Sequence, residues 1–429
     1  LMKHPNIAII GAGWAGLTAA VTLSDNGLPT TTFEASRTLG GRARKIKVNN
    51  KILDNGIHLM SGAYSETLAL LNKIRSLTEP LNISRQPFSY QYEKLKIKMP
   101  RSKIPFGRLI GFLSAQGINV KEKLLVLNFL RAIKFKTESV TATESAHSLL
   151  LRYKQTENLI NLFWNPICLS ALNVGTNRGS ANIFVNVIAD ALLGDKNTSD
   201  LLFPTTDLTS LFASRSARYI EAHKGTINCG LRATIRRDKN ELFSIEGSQD
   251  LFSHVVLATS PHNVKNVVTD PSFLPITLPL INQMEYEPIY TIYHQYTSDV
   301  SLPNRMIGLD SPYPQWVFDR GATHHDLGLI GAVISGTGKH QELTNQQLSE
   351  ESARTLDARF KLGQPIWSKV IAEKRATYSC KPNLNRPKQV TETPGIILAG
   401  DYTYPRYPAT LEAAVRSGVR AAKITLESI

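Results

Sequence analysis

The sequence predicts an α/β protein in which two domains are interleaved along the chain. Three observations predict it: a strand, glycine turn, helix and second strand at the start; two later apolar strands that again end in small-residue turns; and long stretches between them where that pattern stops. The opening unit is Ile7-Ala8-Ile9-Ile10-Gly11-Ala12-Gly13-Trp14-Ala15-Gly16, followed by the small-residue segment Leu17 to Leu23. Gly11 permits the turn and Gly13 lets backbone approach a pyrophosphate closely. Gly16 lets the helix lie against the strand, and the helix N-terminus faces the phosphates. Trp14 and Ala15 complete the turn. A second strand from Pro29 ends at Glu34, with Ala35 after it. An acid at that point accepts from a ribose hydroxyl. These pieces in register make a Rossmann-type dinucleotide site.

Past Glu34 comes Gly40-Gly41-Arg42-Ala43-Arg44. A glycine pair and an arginine there bring backbone N–H groups and a guanidinium back onto the pyrophosphate. NAD sites do not usually need that second clamp. Asp54-Asn55-Gly56-Ile57-His58 follows. His254 to Pro261 reads as a buried strand whose turn, at Ala258, sits at the carboxyl edge of the sheet. Near the end, Gly395 to Asp401 is an apolar strand closing in Gly400-Asp401. Pro408-Ala409-Thr410 then opens a helix with Leu411, Ala414, Val415, Gly418, Val419 and Ala422 on one face and Thr410 as its N-cap.

Between these pieces the periodicity predicts helices over Ser65 to Ile74, Val120 to Phe135, Leu159 to Leu172, Ala181 to Leu193, Leu208 to Ala222 and Gln346 to Phe360. Strands are predicted at Leu95 to Met99, within Gly225 to Arg236, at Leu242 to Ile245, Tyr290 to Tyr296 and Leu327 to Ser335, with a turn at Asp238-Lys239-Asn240. The division this suggests is a nucleotide domain from 1–75, 205–262 and 388–429, and an α+β substrate-binding or cap domain from 76–204 and 263–387.

Of the 429 residues 42% are apolar, enough for a large core. No run of 18 apolar residues is present, so no transmembrane helix is expected. The first strand begins near Asn6, which leaves no room for a signal peptide and makes a cytoplasmic product the expectation. Cys168, Cys229 and Cys380 are far apart and read as reduced packing residues, not metal ligands. The net charge of +14 is concentrated: Lys94 to Lys136 holds eleven Lys/Arg and one acid, Glu122. Leu95, Ile97, Met99, Ile104, Phe106, Leu109, Ile110, Phe112 and Leu113 are interleaved with it. Such a surface suits the inner face of an anionic membrane; the alternative is a solvated charged face. No nucleic-acid motif accompanies the charge, so nucleic acid is not an expected partner.

The glycine turn, the Gly40-Gly41-Arg42 segment, Asp54 to His58 and Gly400-Asp401 together resemble the FAD-dependent amine oxidase and phytoene desaturase superfamily. Within it, Gly-Ala-Gly-Trp-Ala-Gly-Leu at the head, Leu39 to Arg44 and Leu53 to Leu59 are similar to hydroxysqualene dehydroxylases, or squalene-associated FAD-dependent desaturases. Trp164 to Ile167 with Ala171-Leu172-Asn173, Leu202-Phe203-Pro204 with Asp207-Leu208-Thr209, Ala399 to Thr403 and Tyr407 to Gly418 extend the likeness over nearly the whole chain.

That resemblance implies an FAD domain in three sequence pieces and reduction of hydroxysqualene to squalene, with loss of water, for hopanoid formation. It implies association with other squalene-forming enzymes. It also implies cofactor roles for Gly11, Gly13, Gly16, Glu34, Gly41, Arg42, Asp401, Ala409, Thr410 and Leu411, and a backbone contact to adenine near Ala233. Bland readings stand beside these, a surface salt bridge for Arg42 and a helix cap for Asp401. Tyr402 stands where that family often carries Trp, and Tyr404 to Arg406 differ from its usual loop. His58 is the candidate for proton delivery; the alternative is an imidazole bound to backbone beside the cofactor. Tyr64, Tyr402, Tyr404 and Asp319 are further candidates. A carotenoid-type desaturase and an amine oxidase, with Tyr402 and Tyr407 as its aromatic cage, are the competing functions.

Overall fold

The computed structural model describes residues 5–99, 111–136, 139–195, 197–238 and 241–429. Its centre is a five-stranded parallel sheet in the order Thr226–Cys229, Thr30–Glu34, Ile7–Ile10, His254–Leu257, Ile396–Leu398. Ile7–Ile10 at its middle is wholly apolar and buried, and His254–Leu257 is so after His254, as parallel strands covered on both faces must be; Thr30–Glu34 is rich in threonine but largely buried. The helix Trp14–Asp25 follows the first strand, and the C-terminal helix Leu411–Ser428 packs against it. A Cβ on Gly418 would lie 2.3 Å from the Ala15 carbonyl oxygen, so the two helix backbones touch there.

A second, seven-stranded sheet runs Trp367–Tyr378, Tyr286–Gln295, Leu329–Ser335, Trp316–Asp319, Met306–Gly308, Ser89–Tyr92, Leu95–Lys98. It is antiparallel apart from the parallel contact of Gly308 with Tyr92. Helical segments over Glu157–Leu172 and Ala181–Leu193 cover one of its faces with Phe163, Trp164 and Phe184. Each contains a π turn, at Ile160–Trp164 and Ala189–Leu193, and a third π turn, Thr209–Ala213, opens the helix that ends at Ala222. Single-turn π segments of this kind widen a helix without ending it.

Helices occupy Ser65–Ile74, Val120–Phe135 and Asn345–Phe360, within a residue of the sequence reading. The hairpin Lys45–Val48 with Lys51–Asp54, and a small sheet joining Met60–Ser61, Leu201–Pro204 and Ile83–Gln86, were not legible from periodicity. One reading needs correction. Residues 230–234 are not strand: Gly230, at φ +77°, ends Thr226–Cys229, and the chain crosses to an antiparallel sheet beginning at Ile235. Ala233 is buried in that crossover. Lys239 and Asn240 of the expected turn lie outside the described residues, as do Arg101, Lys103, Ile104, Phe106, Arg108, Leu109 and Ile110 of the basic stretch. Cys168 and Cys380 are buried, whereas Cys229 is exposed. Among the described residues no helix is long and apolar enough to cross a membrane.

Gly418→Val should destabilise the fold by roughly 2–3 kcal/mol, because the helix-on-helix contact has no room for a side chain. A lowered denaturant midpoint with an unchanged slope is the expected result.

Candidate flavin site

Three distant segments meet at the first glycine turn without side chains between them. Gly11, at φ +104°, presents its side-chain direction to Ala258, whose carbonyl oxygen a Cβ would meet at 2.7 Å. A Cβ on Gly16 would meet the Gly11 oxygen at 1.9 Å. Gly40 N–H donates to the Ala12 carbonyl at 2.9 Å, and Gly41, at φ +62°, abuts the Gly13 backbone. Trp14 stacks on Phe212 at 4.0 Å and donates from its indole to the Ala43 carbonyl at 3.4 Å. The Glu34 carboxylate accepts from Ala12 N–H at 2.7 Å and from Ser36 N–H at 2.8 Å. Ala35 is exposed beside it. These contacts leave a backbone-lined cradle that a side chain would fill, the geometry a pyrophosphate requires. The buried Thr259 hydroxyl at its edge has no hydrogen-bond partner, so a polar group in the cradle would satisfy it.

Arg42 and Asp401 close the next part of the cleft. One Arg42 nitrogen donates to both Asp401 oxygens at 2.8 Å, and the other to the Ala376 carbonyl at 2.7 Å. The Arg42 side chain is 32% exposed and that of Asp401 6%, so the pair is screened on one side only. Gly400, at φ +156°, lies against the ring of Tyr402. Thr410 caps the C-terminal helix, its hydroxyl accepting from Ala413 N–H at 3.1 Å. Ala409 and Leu411 flank it and are half-buried.

The Asp54 to His58 segment is pinned to the second glycine motif by a reciprocal pair: Asn55 N–H to the Arg44 carbonyl at 2.9 Å, and Arg44 N–H to Asn55 Oδ1 at 3.1 Å. His58 Nδ1 lies 2.9 Å from the Gly56 carbonyl. A carbonyl only accepts, so Nδ1 carries the hydrogen and Nε2 is the atom that can take or give a proton. Burial lowers the imidazole's affinity for that proton. The Gly56 carbonyl offsets part of this, and the Arg42 charge adds to it. The other candidates divide. Asp319 has both oxygens engaged, by Ala322 N–H at 3.0 Å and Leu302 N–H at 2.8 Å, and is a helix cap. Tyr402 is fully buried, while Tyr407 pairs with Tyr404, ring centroids 5.5 Å apart, beneath Arg416.

The chain matches the model of the flavin-containing amine oxidoreductases over residues 14–426. It belongs to that family. A hydroxysqualene dehydroxylase of Zymomonas mobilis is 26% identical over 97% of this chain and 98% of its own, and one of Sinorhizobium fredii is 24% identical over 98% of each. Among solved structures, a triple mutant of putrescine oxidase superposes with a TM-score of 0.74 at 17% identity, covering 99% of both chains. The chain is a flavin-dependent oxidoreductase of this family, and the fold it shares with putrescine oxidase is the α/β fold described above.

Arg42→Met should weaken flavin binding by about 2 kcal/mol, the worth of a charge-assisted hydrogen bond to an anion. Titration of the flavin-free protein with cofactor reads this directly. Unchanged affinity would leave Arg42 as the partner of Asp401 alone.

Proposed function

We propose that the protein binds FAD and reduces hydroxysqualene to squalene with loss of water. The observation that carries this reading is the end-to-end likeness to hydroxysqualene dehydroxylases, 24–26% identical over 97–98% of the chain. FAD is preferred because the glycine turn is built for a pyrophosphate and Glu34 stands where a ribose hydroxyl needs an acceptor. Gly11, Gly13, Gly16, Gly40, Gly41 and the N-terminus of Trp14–Asp25 would hold the pyrophosphate. Arg42 would reach the pyrophosphate as its second clamp, Asp401 would lie near the ribityl-pyrophosphate region, and Ala409, Thr410 and Leu411 would lie under the ring.

Reduced flavin, when bound, supplies a hydride. The protein has to make the carbon–oxygen bond break. The substrate hydroxyl is allylic, so protonating it releases water and leaves a delocalised cation. His58, with Nε2 free to carry a proton, is the group we assign to that transfer. Buried Phe203, Leu208 and Phe318 near it exclude water that would otherwise trap the cation.

The substrate is a long isoprenoid with one hydroxyl, and we infer that the protein collects it from an anionic membrane through residues 94–136. The helix Val120–Phe135 supports this. Its one acid, Glu122, is turned inward, closing a capping box with Asn119 and accepting from Thr156 and Asn158. The outward face then carries Lys121, Arg131, Lys134 and Lys136 beside Val120, Leu124 and Phe135, which are 71%, 59% and 63% exposed. Cations so placed contribute about 1 kcal/mol each at an anionic surface.

Anaerobic incubation of the chemically reduced holoprotein with hydroxysqualene should yield squalene; recovery of intact substrate would return the assignment to oxidative flavin chemistry. The holoprotein should also float with phosphatidylserine vesicles and remain below neutral ones. Leu124→Ser with Phe135→Ser should reduce flotation, and equal flotation of parent and variant would remove this face from consideration.

A further inference from the structure

Beside the Arg42–Asp401 pair, the carboxyl edge of the parallel sheet carries donors that belong to none of the glycine motifs. The strand His254–Leu257 leaves the sheet through Ala258 and Thr259 and enters the short turn Pro261–Asn263. Across from that turn, Tyr286 begins the strand Tyr286–Gln295. The His262 and Tyr286 rings meet edge to face, centroids 5.5 Å apart. The Arg375 guanidinium, from the neighbouring strand Trp367–Tyr378, lies over the Tyr286 ring at 5.8 Å. The next residue of that strand, Ala376, accepts from Arg42 at 2.7 Å. Among the described residues, three buried atoms of this corner lack a completed hydrogen bond: Thr259 Oγ1, His262 Nδ1 and the Tyr286 hydroxyl. The Tyr286 oxygen does approach the His262 backbone N–H, so its unmet need is an acceptor for the hydroxyl hydrogen.

Native chains keep buried polar atoms unpaired only where a ligand or water meets them. The chemistry of this set is one-sided. A threonine hydroxyl, a phenol and an imidazole can all donate, and Arg42 and Arg375 can only donate. Donors gathered beside two guanidiniums select an oxygen-rich anion. Their place adjoins the pyrophosphate cradle, because a Cβ on Gly11 would lie 3.2 Å from the Thr259 nitrogen. We propose that Thr259, His262 and Tyr286 form a further phosphate-binding wall of the FAD site, their unpaired atoms hydrogen-bonding the diphosphate oxygens of the cofactor. The inference rests on the FAD reading and not on the choice of substrate. The same donors would suit the phosphate of a second, separately bound nucleotide, and the experiment below separates the two.

The charges around His262 agree with an anion in this place. Burial works against the imidazolium first, then Arg375, Arg42 and Lys265, so the ring is neutral at pH 7 in the cofactor-free chain. Tyr286 keeps its proton, chiefly through burial, and adds no charge. Asp401 and Glu373 act on Arg42, whereas Arg375 and Lys265 are exposed. A diphosphate set among these cations offsets them. Cofactor binding should therefore raise the His262 pKa and take up part of a proton. The bound state then holds more protons than the free one, so FAD affinity should rise as pH falls into the imidazole range.

Nitrogen-15 histidine spectra of the flavin-free protein and the holoprotein test this without substrate. The His262 signals, assigned by their loss in His262→Gln, should shift when FAD is added and titrate at a higher pH in the holoprotein. Tyr286→Phe keeps the ring beneath Arg375 and removes only the hydroxyl. It should bind FAD about tenfold more weakly and riboflavin as the parent does, since riboflavin carries no phosphate. Inorganic pyrophosphate added to the holoprotein should leave the His262 signals in place. His262 signals indifferent to FAD, parental FAD affinity in Tyr286→Phe, or equal losses for FAD and riboflavin would each overturn the proposal. A His262 response to pyrophosphate in the holoprotein would transfer these donors to a second phosphate ligand and overturn their assignment to the cofactor. A parent that takes up no FAD would strike the FAD reading itself, whereas a parent that binds FAD beside an unaffected Tyr286→Phe strikes the wall alone.

Discussion

The arrangement depends on backbone touching backbone at one turn. Gly13 and Gly41 meet with no side chain between them, and Gly11 faces the Ala258 carbonyl at a distance no Cβ tolerates. Segments more than two hundred residues apart in sequence are thereby fixed to within ångströms. The close approach is repeated on the far side of the first helix, where Gly418 brings the C-terminal helix onto Ala15 and Thr18. The N-terminal half of the helix that would aim at a phosphate is thus clamped on two faces. A cofactor held by main-chain N–H groups needs that rigidity, because main chain cannot adjust by changing rotamer.

Two charge groups lie on either side of the Asp54 to His58 segment, and burial separates their behaviour. Arg42 and Asp401 share short hydrogen bonds at the mouth of the cleft, with Arg42 one-third open to solvent. Burial works against the Arg42 charge more than any other single effect, and the charge and hydrogen bonds of Asp401 offset it, so the guanidinium stays protonated. Asp54 and Arg320 are both shut inside, but the guanidinium is closer to Asp326 than to Asp54. Burial raises the Asp54 pKa to about 7, and the Leu208 N–H and Arg320 offset only part of that rise. The same residue types therefore give a short-bonded, partly open pair in one place and a buried, loosely paired carboxyl in the other.

Much of this was legible in the sequence, because glycine spacing and apolar periodicity are local. The parallel strands, the turn, Glu34 and the helices at Ser65, Val120 and Asn345 follow from patterns of a few residues. Ala233 was misplaced because Gly230 ends its strand, and nothing in the apolar pattern of 225–236 marks that exit. Glu122 counted as an acid on a basic surface until its capping box and its bonds to Thr156 and Asn158 turned it inward. Asp54 stood in a recognised motif, but its neighbours Arg320 and Asp326 come from hundreds of residues downstream. Burial and long-range partners decide the chemistry of such a carboxyl, and neither is written in its local sequence.

The loop after Asp401 is held by a network of polar contacts. Arg386 donates to the Tyr378 hydroxyl and to the carbonyls of Tyr404, Pro405 and Tyr407. Asp190, at the end of the helix that covers the second sheet, pairs with Arg406 and with the Tyr407 hydroxyl. Glu412, buried in the first turn of the C-terminal helix, accepts from Glu66 and Thr67 N–H and so caps the helix Ser65–Ile74. One short loop is therefore tied by a guanidinium to the chain before it and by an ion pair to the helices of the second sheet. Releasing it would free several half-exposed carbonyls and the Asp190 carboxylate at once, groups that water can partly re-satisfy.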